Sequence, residues 1–203
     1  MVRFRPTSIF AAAIAGLAAM GITVFVIVAI TNNPDDRQVD VVLDVPGEYQ
    51  TPGIATNAPV QGQLLAPAEI FDLADGVINT AQEFIDPNDP RPLLINFWFS
   101  NCQPCKREMP ALQEAHRQYG DRVRFIGINP QDSPEITRTF AEELGIDYEL
   151  FRDPNANFVV ANGVATFPTT FFVDSDGRIR LQKAGELSPA DIMSALEALL
   201  NGI

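Results

Sequence analysis

The chain has 203 residues, 46% of them hydrophobic, with 14 Lys and Arg against 26 Asp and Glu, a net charge of −12. That is enough for one domain with a filled core plus appendages. The acidity argues against nucleic acid, whose phosphates need a basic face, and against adhesion to anionic membranes; two cysteines and one histidine are too few for most zinc sites or a disulfide-rich scaffold.

Ile9 to Ile30 carries no charge. As a helix it would rise about 33 Å, enough to cross a hydrocarbon core of about 30 Å. Arg3 and Arg5 precede it, and Asp35 and Asp36 follow. The positive-inside rule then keeps the N-terminus cytoplasmic and puts the rest outside. A cleaved signal peptide is the competing reading, but its apolar region is usually shorter, about 7–15 residues, and no clear Ala-x-Ala site follows Val28. Residues 1–31 are therefore expected to be a cytoplasmic N-terminus and single-pass anchor. Residues 32–61, with prolines at 34, 46, 52 and 59 among scattered acids, read as an extended stalk. Residues 62–203 then form one domain.

Within that domain, Ile70–Leu73 and Val77–Asn79 flank Asp75-Gly76, a hairpin signal. Thr80-Ala81-Gln82-Glu83 has the capping-box pattern of a short helix. Leu93–Phe99 is a near-continuous apolar run, as expected of a strand covered on both faces. Gln103 to about Tyr119 reads as a helix interrupted by Pro110. Val123–Ile128 is a strand, and Ser133-Pro134 opens a helix that Gly145 stops. A turn at Asp153–Asn155 leads to a short helix, Ala156–Ala161. Strands Thr169–Val173 and Ile179–Ala184 surround Asp176-Gly177, and Ser188-Pro189 opens the last helix. Strands alternating with helices, then a hairpin and terminal helix, define an α/β domain with a mixed sheet flanked by helices.

Cys102-Gln103-Pro104-Cys105 follows the buried strand and opens a helix. The thiolate is the nucleophile of disulfide exchange, and the unpaired N–H groups of a helix N-terminus favour the thiolate of Cys102. The spacing brings Cys105 round one turn, where it can resolve a mixed disulfide formed at Cys102. Pro104 fits the first turn because no N–H is needed there. A structural staple is a poor alternative, since so short a loop stabilises little. A metal pair lacks further ligands: His116 is the only histidine, about 16 Å further along the same helix, and is expected to be exposed and uninvolved.

The segment Leu94–Pro110, LINFWFSNCQPCKREMP, resembles the active-site stretch of thioredoxin-like proteins, and most closely the membrane-anchored TlpA/ResA-like branch. Gly163–Asp174, GVATFPTTFFVD, resembles the second signature of that branch. The likeness spans roughly residues 65–203 and implies a thioredoxin-like fold. It makes Cys102 the attacking and Cys105 the resolving cysteine, and Pro168 a cis-proline. It also implies that the backbone of Phe167 pairs with a substrate segment by strand addition. Thioredoxins themselves usually have a buried Asp where this chain has Asn96; the branch instead places a Glu after the second cysteine, and Glu108 fits, one turn beyond Cys105. The family usually has Trp before the first cysteine, and here it is Asn101, which should open the rim. Trp98 shares a face with Asn96 and is expected in the core.

The resulting expectation is a membrane-anchored, extracytoplasmic thiol–disulfide oxidoreductase. It would reduce particular protein disulfides, with apocytochrome c the first client the resemblance suggests. It would be fed by a membrane thiol carrier, and need no metal or cofactor beyond the Cys102–Cys105 disulfide. A disulfide-donating oxidant or isomerase is the alternative, separated by reduction potential. A metal-delivery protein or redox-sensing module is a third, but the wider cysteine spacing and distant His of related copper carriers are missing. A peroxidase would show a Pro and a Thr shortly before its cysteine, where this chain has Phe97–Asn101.

Overall fold

A computed structural model describes residues 56–202. The segment expected to anchor the chain, residues 9–30, and the stalk up to residue 55 lie outside the described residues. Among the described residues, no helix is long and apolar enough to cross a membrane. The stalk was expected to run to residue 61, but its end packs on the domain: Val60 is buried in the core, and Asn57 and Ala58 bond to the 163–169 segment.

Twelve elements are described. They are β1 (Glu69–Phe71), β2 (Val77–Asn79), α1 (Thr80–Glu83), β3 (Leu93–Phe97), α2 (Gln103–Tyr119), β4 (Arg124–Asn129), α3 (Pro134–Leu144), β5 (Glu149–Arg152), α4 (Asn157–Ala161), β6 (Thr169–Val173), β7 (Ile179–Ala184) and α5 (Pro189–Leu200). One seven-stranded sheet has the order β2-β1-β5-β4-β3-β6-β7, with β3, β4 and β5 parallel and the others antiparallel to their neighbours. β3 is central and every residue of it is buried, which is why its sequence is almost unbroken apolar.

Alternation along the strands divides the core into two layers. Leu94 and Trp98 of the β3 segment and Phe172 of β6 face α2, α3 and α5, where they meet Met109, Leu112, Phe140, Ile192 and Leu196. Leu93, Ile95 and Phe97 face the other way, with Phe171, Phe84 and Phe158. Gly127 of β4 has a steric reason: a Cβ there would lie 2.6 Å from Leu150 Cδ2 and 2.8 Å from Trp98 Nε1. The indole of Trp98 closes over that bare backbone and stacks on Phe140, ring centroids 5.2 Å apart.

Local details depart from the sequence reading. α2 runs through Pro110 without a break. Pro110 lies on the exposed side of the helix and has no N–H to give the Lys106 carbonyl. α1 is capped by Asn79, whose side chain accepts the Ala81 N–H; Thr80 is buried inside the helix and its Oγ1 accepts the Ala68 N–H. The hairpin turn spans Asp72–Gly76, with Asp72 Oδ1 accepting from Ala74 and Gly76, so β1 ends at Phe71. β5 carries little sequence signal because its two end residues, Glu149 and Arg152, are charged. Its charge is paired sideways: Arg124 of β4 donates to Glu149 Oε1 (2.6 Å) and Oε2 (2.5 Å), and also pairs with Glu83. His116 is only half exposed, edge-on to Phe125 and Tyr148 with Asp147 3.5 Å away.

Candidate active site

The C-terminal end of β3 delivers the site. Trp98 N–H still bonds the Ile128 carbonyl, and the chain then leaves the sheet. Asp132 holds the departing loop: its Oδ2 accepts from Ser100 N (2.6 Å) and its Oδ1 from Ser100 Oγ (2.8 Å). Asn129 Nδ2 donates to the same Asp132 Oδ2 (2.7 Å). Cys102 follows as the N-cap of α2, and its Sγ accepts the N–H of Cys105 at 3.2 Å. Cys102 and Cys105 are disulfide-bonded, with Cα atoms 5.2 Å apart. Cys102 is 5% exposed and Cys105 fully buried. The first turn holds Pro104 and no acidic residue, so the helix end keeps its partial positive charge for sulfur. Reduction would leave Cys102 with the donor that a thiolate needs, while Cys105 faces the interior.

Glu108 is not a solvated surface residue; only 1% of it is exposed. Asn96 Nδ2 donates to its Oε1 (2.7 Å) and to Thr170 Oγ1 (3.0 Å), and the Leu187 N–H donates to its Oε2 (2.7 Å). The Thr170 hydroxyl donates weakly to Oε1, at 3.4 Å. Burial pushes the Glu108 carboxyl up to about 7, against the pull of its donors, and neighbouring Glu186 adds to the rise. Asn96 Oδ1 has no partner among the described residues. Glu186 forms an ion pair with Arg107, 2.5 Å, so the loop before α5 is tied to α2 by two adjacent residues.

The Phe167-Pro168 peptide is cis, as the resemblance implied. Thr169 pairs with Phe97, so Pro168 sits at the end of β3 from which the cysteine loop departs. Phe167 packs on Phe99, ring centroids 5.3 Å apart. Among the described residues, neither the N–H nor the C=O of Phe167 has a partner. Asn101 is exposed at the rim, and Trp98 is fully buried. Thus Glu108 and Asn96 form one buried hydrogen-bonded pair, one helical turn beyond Cys105, and Phe167 packs on the same core layer as the two buried cysteines. Thr170, the Leu187 amide and Asp132 were not foreseen. Thr170 could have been found from register alone, since it lies directly opposite Asn96. Among the described residues, no cluster of His, Cys, Asp and Glu could hold a metal ion.

The fold and site define a thioredoxin-like α/β domain with a CxxC disulfide at the head of its first long helix. The comparisons agree. A family model described as AhpC/TSA matches residues 66–182, more than half of the chain. The thiol-disulfide oxidoreductase ResA of Geobacillus thermodenitrificans is 31% identical over 108 residues, which cover 53% of this chain and 62% of that protein. The thiol:disulfide interchange protein HelX of Rhodobacter capsulatus is 36% identical over 118 residues, 58% of this chain and 65% of that protein. The chain therefore spans less than two thirds of the length of either relative. The thioredoxin domain of a thiol-disulfide oxidoreductase from Bacteroides vulgatus superposes with a TM-score of 0.60 at 21% identity, over 71% of this chain and all of that one. The chain belongs to the AhpC/TSA family, and its similarity to ResA and HelX supports a TlpA/ResA-like relationship within it.

The raised carboxyl of Glu108 predicts a pH dependence of stability. The folded protein holds this proton up to about pH 7, whereas a free Glu releases it near pH 4.5. Between those values the native state binds more protons, so stability falls as pH rises through the window. Glu108→Gln removes that slope, worth about 3 kcal/mol at most. Urea midpoints of the oxidised protein at pH 4.5 and 7.5 should therefore differ less in the variant than in the parent.

Proposed function

We propose that the protein is a thiol–disulfide oxidoreductase that reduces disulfides of particular proteins outside the cytoplasm. One observation carries this: the cysteine pair caps a helix one turn from a buried carboxylate whose proton affinity lies near neutrality. The first sulfur has what an attacking thiolate requires and the second has a base beside it. The similarity to ResA and HelX supports the reading. Cytochrome c maturation, in which haem-binding cysteines must be kept reduced, is the process we favour. The client would then be an apocytochrome, and a membrane thiol carrier would supply electrons.

In the forward cycle, the Cys102 thiolate attacks one sulfur of a client disulfide. A Cys102–client bond forms, the client S–S bond breaks, and the second client sulfur leaves as a thiolate. Cys105 then gives its proton to Glu108, and the Cys105 thiolate attacks Cys102 Sγ. The Cys102–Cys105 disulfide closes and the client leaves with both sulfurs reduced. Its thiolates take up protons, one of them from Glu108. An external dithiol returns the pair to the reduced state. Phe167 offers its free N–H and C=O to the client backbone, and Asn101 leaves the rim open.

Cys105→Ser should accumulate mixed disulfides with clients, because nothing remains to resolve them, and Cys102→Ser should accumulate none. Equal trapping would mean the roles are not divided in this way. A Cys102–Cys105 potential near about −300 mV fits a reductant, and one near about −120 mV would make the protein a disulfide donor instead.

Glu108 accepts a proton only when ionised, so resolution should speed up as pH rises through about 7. Glu108→Gln should slow single-turnover resolution about tenfold near neutral pH, below the usual acid–base range of about 10²–10⁴-fold, and abolish that inflection. It should also lower the thiol pKa values by removing a nearby negative charge. An unchanged rate and an unchanged thiol titration would remove Glu108 from the mechanism.

The uncharged segment Ile9–Ile30 supports anchoring, with the domain on the outer face. The full-length chain should need detergent for extraction from membranes. A mature chain starting after about residue 30 and free in solution would leave a secreted enzyme.

A further inference from the structure

We propose that Asn57, in the segment leading into the domain, is a positioning residue for the loop that receives the client backbone. The inference rests on the strand-addition reading of Phe167.

The loop from Ala165 to Pro168 lies outside the sheet, so its polar groups need partners from elsewhere. One side chain supplies most of them. Asn57 Oδ1 accepts from Ala165 N (2.7 Å), Thr166 N (2.9 Å) and Thr166 Oγ1 (3.1 Å). Asn57 Nδ2 donates to Thr169 Oγ1 (2.7 Å), and that hydroxyl donates to the Thr166 carbonyl (2.8 Å). Pro168 is held on its other side, where its carbonyl accepts the Gly185 N–H (2.9 Å). Asn57 therefore grips the chain on both sides of the cis peptide. The N–H and C=O of Phe167 stay free among the described residues, held in one orientation for an incoming strand.

Asn57 is itself fixed. Ala58 N–H bonds the Gly163 carbonyl (2.8 Å), Gln182 Nε2 bonds the Ala58 carbonyl (3.1 Å), and Val60 is buried. Gly163 has φ +66°, and a Cβ on it would lie 2.6 Å from Ala58 Cβ, so the close approach of the two segments requires glycine. The primary amide of Asn57 combines an acceptor shared by two successive N–H groups with a donor for Thr169, and Gln, which carries the same amide, is one methylene longer. Loss of the side chain leaves those N–H groups to water and lets the loop sample other orientations, which weakens client capture without touching sulfur chemistry.

The test uses the full-length reduced protein in detergent, with two oxidants: a peptide containing a disulfide, and hydroxyethyl disulfide, which has no peptide backbone. Asn57→Leu should lower kcat/KM for the peptide about five- to tenfold, through KM. Its rate with hydroxyethyl disulfide should stay within twofold, with the Cys102–Cys105 potential unchanged. Asn57→Asp keeps the acceptor and should retain at least half of the peptide activity. Equal losses with both oxidants, or no loss with the peptide, would overturn the role of Asn57. A wild-type protein that turns over the peptide equally well after N-methylation beside its disulfide would instead overturn the strand-addition reading on which the role depends.

Discussion

A carboxylate buried in a protein must be paid for by donors, and Glu108 collects them from three directions. Asn96 comes from β3, Thr170 from β6, and the Leu187 amide from the loop before α5. None of these is close to Glu108 in sequence except through the fold. The arrangement therefore requires β3 and β6 in antiparallel register, α2 across their face, and the loop before α5 passing over Glu108. Burial opposes the charge and the donors favour it, and the balance leaves the proton near neutrality. A fully solvated Glu in this position could not hold a proton at pH 7, and one without its donors could not release it there.

The cysteine pair meets a different constraint. Its sulfurs need the helix end, and the helix end must be brought out of the sheet without losing its cap. Asp132 does this from the neighbouring parallel strand's exit loop, clamping Ser100 through both oxygens. β3 and β4 being parallel is what puts both C-terminal ends together, the usual location for chemistry in parallel sheets. The long acidic imbalance of the chain is not concentrated there: the first turn of α2 is free of acids, with Lys106 and Arg107 following.

Much of this was legible in the sequence because the informative residues are adjacent. The buried strand, the CxxC spacing, Glu108 one turn on and the Phe167-Pro168 pair each fall within a few residues, and the resemblance ordered them. Pro110 reads as an interruption because proline is costly inside a helix, yet the packing of Met109, Leu112 and Ala115 on either side of it keeps α2 continuous. β5 is hard to read locally because its Glu149 is neutralised by Arg124 on the next strand, which no local window contains. Glu149 there reads as a loop residue until its partner is known. Asn57 reads as part of the stalk for the same reason: its bonding partners lie 108 to 112 residues away. His116 reads as exposed in the sequence because its aromatic neighbours come from β4 and the segment before β5.

The loop Gly185–Leu187 holds two of the site's ends at once. Gly185 N–H binds the Pro168 carbonyl, and two residues later Leu187 N–H binds the Glu108 carboxylate. A displacement of that loop stretches both bonds together. A client that moved the loop on docking would by reciprocity also bear on the Glu108 proton. Three residues of backbone thus serve both the mouth of the site and its proton-holding carboxylate, and neither end can be repacked without regard to the other.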